Sequence, residues 1–472
     1  MVNGRMLFTP ARARGVAAAR TASNAGAGGP GGIDWLSPPA LLAAAYIVGF
    51  GLNAIDTLFG VMNPTFVAYR LRSVYVFDAS LSVWATGYLG LGYALFLLGY
   101  RLRLGFRARP GRDVHPRTIV PWIASAVTTI MFVATFGTLV AYTASVGYGR
   151  YIAPDNSGQS GLENLALLGE LSILPFALGM YRFALWRWTN GAAYMSLFDR
   201  VFTWAVMFPL QLGLGVVIGS RSRALGMLLV TVGALHYGYR RLTTRWVLGV
   251  VAFCVLVLLP GIGFIRISAD DRPDLEAGFL WENVAQRGSS LESFTVIFNN
   301  LDLVPIPDPL WQIFATGLVP RAIWPTKPMA TTASQFSDWA SGYRREGLSP
   351  PLPGELLMHF GYVGGLTAMF ALGFVWRLIF AGCMGLTSGG GAARFLYLAL
   401  IPTFLSLDSG FVNPYSVVVR FLAVGVPMLL LCQSPAQLPM PRRSRHSNRS
   451  PTPSSRWPTT HDRSLTGPQD GD

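Results

Sequence analysis

Glu355 and His359 stand four residues apart at the head of an apolar run, the interval that stacks two side chains on one face of a helix. A carboxylate that orients an imidazole makes it a usable general base for a hydroxyl, with a pKa near neutral. The same two residues also suit a helix-start carboxylate favoured by the dipole and a solvated histidine. No third His or carboxylate accompanies them at ligand spacing, so no metal site is expected. Arg221 and Arg223, two apart in the turn Gly219-Ser220-Arg221-Ser222-Arg223, can clamp a diphosphate through paired guanidinium N–H groups or snorkel to lipid phosphates. Arg321, Trp324 and Lys327, the chain's single lysine, share a proline-framed string. An aromatic face beside cations suits a sugar carrying a phosphate or carboxylate, although a loop cation capping a carbonyl or pairing with Asp338 also fits.

Arg420 falls inside an apolar run, where an unpaired charge is expensive, so it should face a bundle cavity. Asp408, Glu355 or an anionic substrate are the partners expected for it. Asp56 and Glu170 sit in other apolar runs and read as polar packing or interfacial groups rather than proton-coupled sites. Asn299, Asn300 and Asp302 offer hydrogen bonds to a sugar but are ordinary loop residues.

The elements that must carry these groups follow from composition. Of 472 residues, 51% are hydrophobic and 13% charged, against about 25% charged in soluble domains. The apolar residues bunch into runs approaching the roughly 20 needed to cross a bilayer. They are Pro39–Phe59, Leu81–Tyr100, Ile119–Tyr142, Leu162–Leu185, Val201–Ile218, Ala224–Tyr239, Trp246–Ile265, Leu356–Phe380, Phe395–Leu407 and Tyr415–Leu431. The expected fold is therefore an all-α polytopic membrane protein of about 10 transmembrane helices. With both termini in the cytoplasm, 24 of the 37 basic residues lie inside, and seven of the others sit in one long outward loop that is translocated largely regardless of charge. Residues 1–36 read as a disordered cytoplasmic tail, 37–265 as spans one to seven, 266–355 as a large periplasmic loop, 356–433 as spans eight to ten, and 434–472 as a disordered basic cytoplasmic tail. The N-terminal residues contain no apolar h-region of a secretory leader.

Several function classes are disfavoured. The net charge of +14 comes from arginines between apolar runs and in the tails, which topology explains without nucleic acid. Cys254, Cys383 and Cys432 have no pairing interval and no Cys-x-x-Cys, so neither disulfides nor zinc are expected. No Gly-rich nucleotide loop is present; Ser388-Gly389-Gly390-Gly391 lacks the lysine and strand context. No internal repeat relates the two halves.

Three strings together resemble a known family. They are Gly219-Ser220-Arg221-Ser222-Arg223 before an apolar run, Val319-Pro320-Arg321-Ala322-Ile323-Trp324-Pro325-Thr326-Lys327-Pro328 in the long loop, and Gly354-Glu355-Leu356-Leu357-Met358-His359-Phe360-Gly361 opening the next run. The chain resembles the Wzy-like O-antigen polymerases, or oligosaccharide repeat unit polymerases, over residues 40 to 430 in layout and most specifically over 215 to 365. His359 stands where many relatives carry Asn or another residue. The resemblance implies an enzyme of the bacterial inner membrane that joins undecaprenyl-diphosphate-linked oligosaccharide repeats at the periplasmic face, without a cofactor. It further implies partnership with membrane lipids, a chain-length regulator and a flippase. Glu355, His359 and Arg321 are then the expected catalytic groups, and Arg221, Arg223, Lys327, Trp324 and Arg420 the expected substrate ligands. An O-antigen ligase shares the large outward loop but uses a different acceptor. A lipid or oligosaccharide transporter would draw on Asp56 and Glu170 but usually shows inverted repeats. A non-catalytic scaffold for a polysaccharide complex would leave the arginines without a role.

Overall fold

The computed structural model describes residues 34–51, 79–102, 119–146, 169–189, 195–217, 221–239, 242–254, 257, 289–304, 309, 324, 335–336, 339, 350–385, 393–404 and 412–432. Among these residues the fold is all-α, with no strand. The elements are α1 (Pro38–Tyr46), continued by a π-type turn at Ile47–Gly51, α2 (Ala79–Arg101), α3 (Pro121–Val146) and α4 (Ile173–Thr189). A single rod follows, made of α5 (Leu197–Val201), a π-type stretch Phe202–Met207 and α6 (Phe208–Val217). After it come α7 (Arg221–Gly238), α8 (Thr244–Phe253), α9 (Ser289–Asn299), α10 (Leu352–Gly385), α11 (Arg394–Leu400) and α12 (Val412–Cys432). Each of the ten apolar runs overlaps a described helix, and α9 is an addition within the long loop.

Three of these helices, over Val83–Arg101, Pro121–Ala141 and Leu352–Met384, are long and apolar enough to cross a membrane, and no more than 28% of each is buried in the protein. Trp84, Trp122, Ile130, Val133 and Val363 project outward. A soluble protein rarely tolerates so continuous an apolar exterior; hydrocarbon is the solvent it suits, since helices satisfy their backbone groups internally. Shorter apolar helices occupy Pro38–Gly51, Ala224–Gly238, Arg394–Phe404 and Val417–Cys432.

Contacts along the rods fix their directions. Helices α2 and α10 run parallel, since Tyr88 meets Tyr362 near their starts while Tyr100 meets Arg377 and Phe380 further along. So do α4 and α12, with Glu170 beside Arg420 just ahead of α4 and Leu174 facing Gly425. Helix α3 opposes α4, because Leu139 meets Gly169 while Arg182 donates to the Pro121 carbonyl. The α5–α6 rod also opposes α4, through Gln211 to Ser172 and Asp199 to Arg182. Helix α11 opposes α7, with Pro402 at Gly226 and Tyr397 at Tyr237. Each of these relations is the one that successive apolar runs of alternating direction produce, as short connections between neighbouring rods require.

The longest seam joins α2 to α10. It is lined with glycine: a methyl on Gly99 would overlap the Phe370 carbonyl oxygen, and one on Gly373 would overlap that of Phe96. Small residues let the backbones meet directly, the mode by which helices associate in lipid without a hydrophobic driving force. Helix α10 is bent within its first third, where Gly361 takes φ 68° and ψ −175°, a region open essentially to glycine alone.

Two boundaries differ from the sequence expectation. Helix α10 begins at Leu352, four residues before the expected start of the eighth apolar run, because Pro353 is tolerated in a first turn whose N–H groups have no intrahelical acceptor. Asp34–Leu36 are not part of a loose tail. Asp34 accepts from the Leu36 N–H and from the Tyr237 hydroxyl. Trp35 donates to Thr244 at 3.1 Å, and Tyr397 donates to the Leu36 carbonyl.

Candidate functional site

The rod directions give the bundle two ends. At one lie Asp34, His236, Arg394 and the Arg182–Asp199 pair; at the other lie the first turns of α2, α7, α10 and α12 together with α9. The sequence-derived candidates whose backbones are described in helices all fall at this second end.

Glu355 occupies the first turn of α10, where its carboxylate complements the helix dipole, and it is only 2% exposed. Its neighbours Leu352, Leu356 and Leu357 are buried, so Glu355 is held within the protein rather than presented to solvent. His359 follows one turn later, half-buried beside Phe360, two residues before the break at Gly361. Hence the i, i+4 relation stands, inside a short helical segment that ends where the backbone turns. Next to that segment, Tyr88 donates to the Tyr362 carbonyl at 2.8 Å and Tyr362 donates to the Phe298 carbonyl at 2.6 Å. These bonds pin α9 and α2 to the residue after the break, while Leu291, Phe294, Ile297 and Phe336 form a small apolar core beneath.

Arg420 lies in the third turn of α12 and pairs with Glu170, Nη1 to Oε2, at 3.2 Å. Glu170 was not among the partners expected from sequence, and it is an ion-pair acid rather than a merely polar packing group. Two residues on, the buried Ser172 hydroxyl accepts from Gln211 Nε2 at 2.7 Å, so α4, α6 and α12 meet around polar groups.

Arg221 and Arg223 form the first turn of α7, their backbones at the same end. Trp324 is half-buried outside any regular element. Arg321, Lys327, Asp56 and Asp408 lie outside the described residues. Among the described residues there is no group of three His, Cys, Asp or Glu able to hold a metal ion.

The opposite end holds ionisable clusters that sequence reasoning passed over. His236, 4% exposed, accepts the Leu242 N–H on Nδ1 at 3.1 Å and turns Nε2 toward Asp34 Oδ1 at 3.4 Å. Because Nδ1 is occupied as an acceptor, Nε2 is the nitrogen left to carry a ring proton, and it faces Asp34. Burial pushes the Asp34 carboxyl up, but His236, the Tyr237 hydroxyl and the Leu36 N–H outweigh it and hold the carboxyl below its ordinary value. Arg394 adds a bond to the Tyr237 carbonyl at 3.0 Å. Nearby, Arg182 and Asp199 form an ion pair of 3.1 Å with side chains 3% and 7% exposed. Ser125 donates to Asp199, which also closes a reciprocal cap with Ser196 at the start of α5. The Ser196-x-x-Asp199 spacing was the one sequence signal for this cluster. With imidazole nitrogens and carboxylates already engaged, these groups fasten the bundle.

No family model, no curated protein and no solved structure matches this chain.

Proposed function

We propose that the chain is a polytopic glycosyltransferase of the Wzy-like type, polymerising lipid-linked oligosaccharide repeats at the outer face of a bacterial inner membrane. It crosses that membrane about ten times, with both termini in the cytoplasm and residues 266–355 as the periplasmic loop. The observation that carries this reading is the end of the bundle where α10 begins: Glu355 and His359 share its first segment, and Arg420 and the head of α7 with Arg221 and Arg223 lie at the same end. Two of the strings that carry the family resemblance, those containing Arg221 and Glu355, run into helices that begin at this end.

The reaction needs a base, an anion site and a sugar platform. His359 takes the proton of the acceptor hydroxyl on the incoming lipid-linked repeat, oriented by the buried Glu355. The hydroxyl oxygen forms a bond to the anomeric carbon of the growing chain. The bond from that carbon to the diphosphate oxygen breaks, and undecaprenyl diphosphate leaves with the electron pair. Arg221, Arg223, Arg321 and Arg420 stabilise the charge that develops on the leaving diphosphate. Trp324 and Lys327 hold the sugar and its anionic groups. The glycosyl diphosphate linkage supplies the driving force, so neither nucleotide nor metal enters the scheme. A chain-length regulator and a flippase are the protein partners such a role entails.

The test is glycan ladder length in cells lacking the gene and restored with wild type, Arg221→Ala, Arg321→Ala or His359→Ala at matched membrane abundance. Deletion should leave single repeats attached to the acceptor lipid. The arginine variants should fail to restore the ladder, and His359→Ala should slow polymerisation by about 10²–10⁴-fold. Loss of every repeat would point instead to ligation, and lipid-linked repeats trapped on the cytoplasmic face to transport; either outcome overturns the proposal.

A further inference from the structure

His236 lies in the last turn of α7, 4% exposed, and takes no part in the proposed reaction. Its two ring nitrogens hold different segments. Nδ1 accepts the Leu242 N–H at 3.1 Å and so fastens the connector that leads from α7 to α8. Nε2 stands 3.4 Å from Asp34 Oδ1, in the strap that precedes α1. That strap is also stitched down without His236, by Trp35 to Thr244 at the head of α8, by the Tyr237 hydroxyl to Asp34 and by Tyr397 to the Leu36 carbonyl.

An imidazole nitrogen accepts a hydrogen bond only through its lone pair, and the charged ring carries a proton on both nitrogens. A proton added to Nδ1 would point at the Leu242 N–H, donor against donor. The Leu242 bond and the charged ring therefore exclude one another. The Asp34 contact responds in the opposite sense, because a charged ring keeps its donor at Nε2 and adds an ion pair with the carboxylate. Burial sharpens the choice, since a polar group withdrawn from water must keep a partner.

The surrounding charges are few and placed on named elements. Asp34 attracts a charged imidazole, while Arg394 of α11, which donates to the Tyr237 carbonyl at 3.0 Å, repels it. Tyr237 stands edge-on to the His236 ring and Tyr397 edge-on to Tyr237. Behind them, Tyr181 of α4 bonds Arg394, and Tyr100 of α2 lies against Arg377 of α10. Arg245, in the first turn of α8, is exposed. Asp34 is held below its ordinary carboxylate value, so it stays anionic over the interval from about pH 5 to 8 in which histidine side chains change charge.

We propose that His236 is an acid-operated latch between two segments: neutral, it fastens the α7–α8 connector through Leu242; protonated, it releases the connector and closes on Asp34. The latch is independent of the polymerase reading. It acts at the foot of α7, the helix whose far end carries Arg221 and Arg223.

The experiment is amide hydrogen exchange of full-length protein in lipid nanodiscs between about pH 8 and 5, each rate divided by that of an unstructured peptide of the same sequence at the same pH. In wild type the Leu242 amide should lose about tenfold in protection on acidification, the worth of one hydrogen bond. The Leu36 amide, which donates to Asp34, should keep its own. His236→Asn retains an acceptor near the place of Nδ1 and cannot charge, so its Leu242 protection should be the same at both ends of the range. Asp34→Asn removes the anion that draws the charged ring, so the loss should move to lower pH; this variant serves if His236→Asn does not fold. Constant Leu242 protection in wild type overturns the latch, as does an equal loss in His236→Asn or an unmoved loss in Asp34→Asn. Parallel loss at Leu36 and Leu242 overturns it too, because that is a general loosening of this end of the bundle.

Discussion

The α2–α10 seam makes a quantitative demand on two glycines. A methyl built on Gly99 would lie 3.0 Å from the Phe370 carbonyl carbon and 3.1 Å from the Phe374 nitrogen, and one on Gly373 would lie 2.8 Å from the Phe96 carbonyl carbon. The carbonyl oxygens of Phe370 and Phe96 lie closer still, and ordinary carbon–oxygen contacts are about 3.3–3.6 Å, so either substitution forces the two backbones apart by more than about 1 Å. The obstacles are main-chain atoms, which no rotamer change can move. Overpacking of this kind costs about 1–3 kcal/mol, and the rigid contact places Gly99→Ala near the top of that range. Against it stands the gain of about 1 kcal/mol from replacing glycine by alanine within a helix. The net loss should be about 1–2 kcal/mol, measured as a shift in the unfolding transition of the purified protein in detergent. Gly90 lies in the same helix, with nothing within 4 Å of the place an added methyl would take, and Gly90→Ala should therefore stabilise. Since one separation relieves both clashes, Gly99→Ala with Gly373→Ala should lose less than the sum of the single changes. If Gly99→Ala matches Gly90→Ala, or the double change is strictly additive, the backbones do not meet at this seam.

Three further outcomes follow from the described contacts. Asp199→Ala leaves the Arg182 guanidinium buried without its carboxylate and should cost about 3–5 kcal/mol in the same assay, whereas Ser196→Ala, which removes only the cap, should cost about 1 kcal/mol. Gly361→Ala should lose about 1–3 kcal/mol through backbone strain alone, as nothing lies within 4 Å of the added methyl; Gly361→Asn should fare no better, because ψ −175° is outside the left-handed helical region Asn tolerates. Asp34 is held below its ordinary carboxylate value, so the stability it adds is complete above about pH 4 and is lost as pH falls through its folded-state pKa. Melting temperature followed from pH 6 downward should drop less steeply below about pH 4 in Asp34→Asn than in wild type, and equal slopes would mean the Asp34 contacts add nothing.

Much of the architecture was legible because a run of apolar residues is a statement about solvent, independent of what the run packs against. Leu81–Tyr100 and Ile119–Tyr142 match α2 and α3 nearly residue for residue. The start of α10 was misjudged since Pro350, Pro351 and Pro353 read as loop, yet a first turn accepts proline. Its break at Gly361 carries no proline to announce it, and a glycine among Gly361, Gly364 and Gly365 gives no sign of which one bends. Pairing was the least legible property. Arg420 needed an anion, but its partner lies some 250 residues away in sequence, and hydropathy carries no information on which acid faces which base. Asp34 read as tail because its neighbours Gly31, Gly32 and Ile33 lack helix signals; the His236 ring that fastens it belongs to a helix two hundred residues later. The Glu355 and His359 spacing, a purely local relation, came through intact.

The parallel α2–α10 seam also sets a clock for biosynthesis. Tyr88 and its acceptor at Tyr362 are 274 residues apart, and at about 5–20 residues per second the ribosome delivers the second roughly 15–55 seconds after the first. For that interval α2 sits in the bilayer with its glycine-lined groove facing lipid chains that cannot fill it. The nascent chain must be sheltered by the insertion machinery or by neighbouring helices until its late partner arrives. A message truncated before α10 would produce a protein with its earlier apolar helices and no closing seam, a ready substrate for membrane proteases.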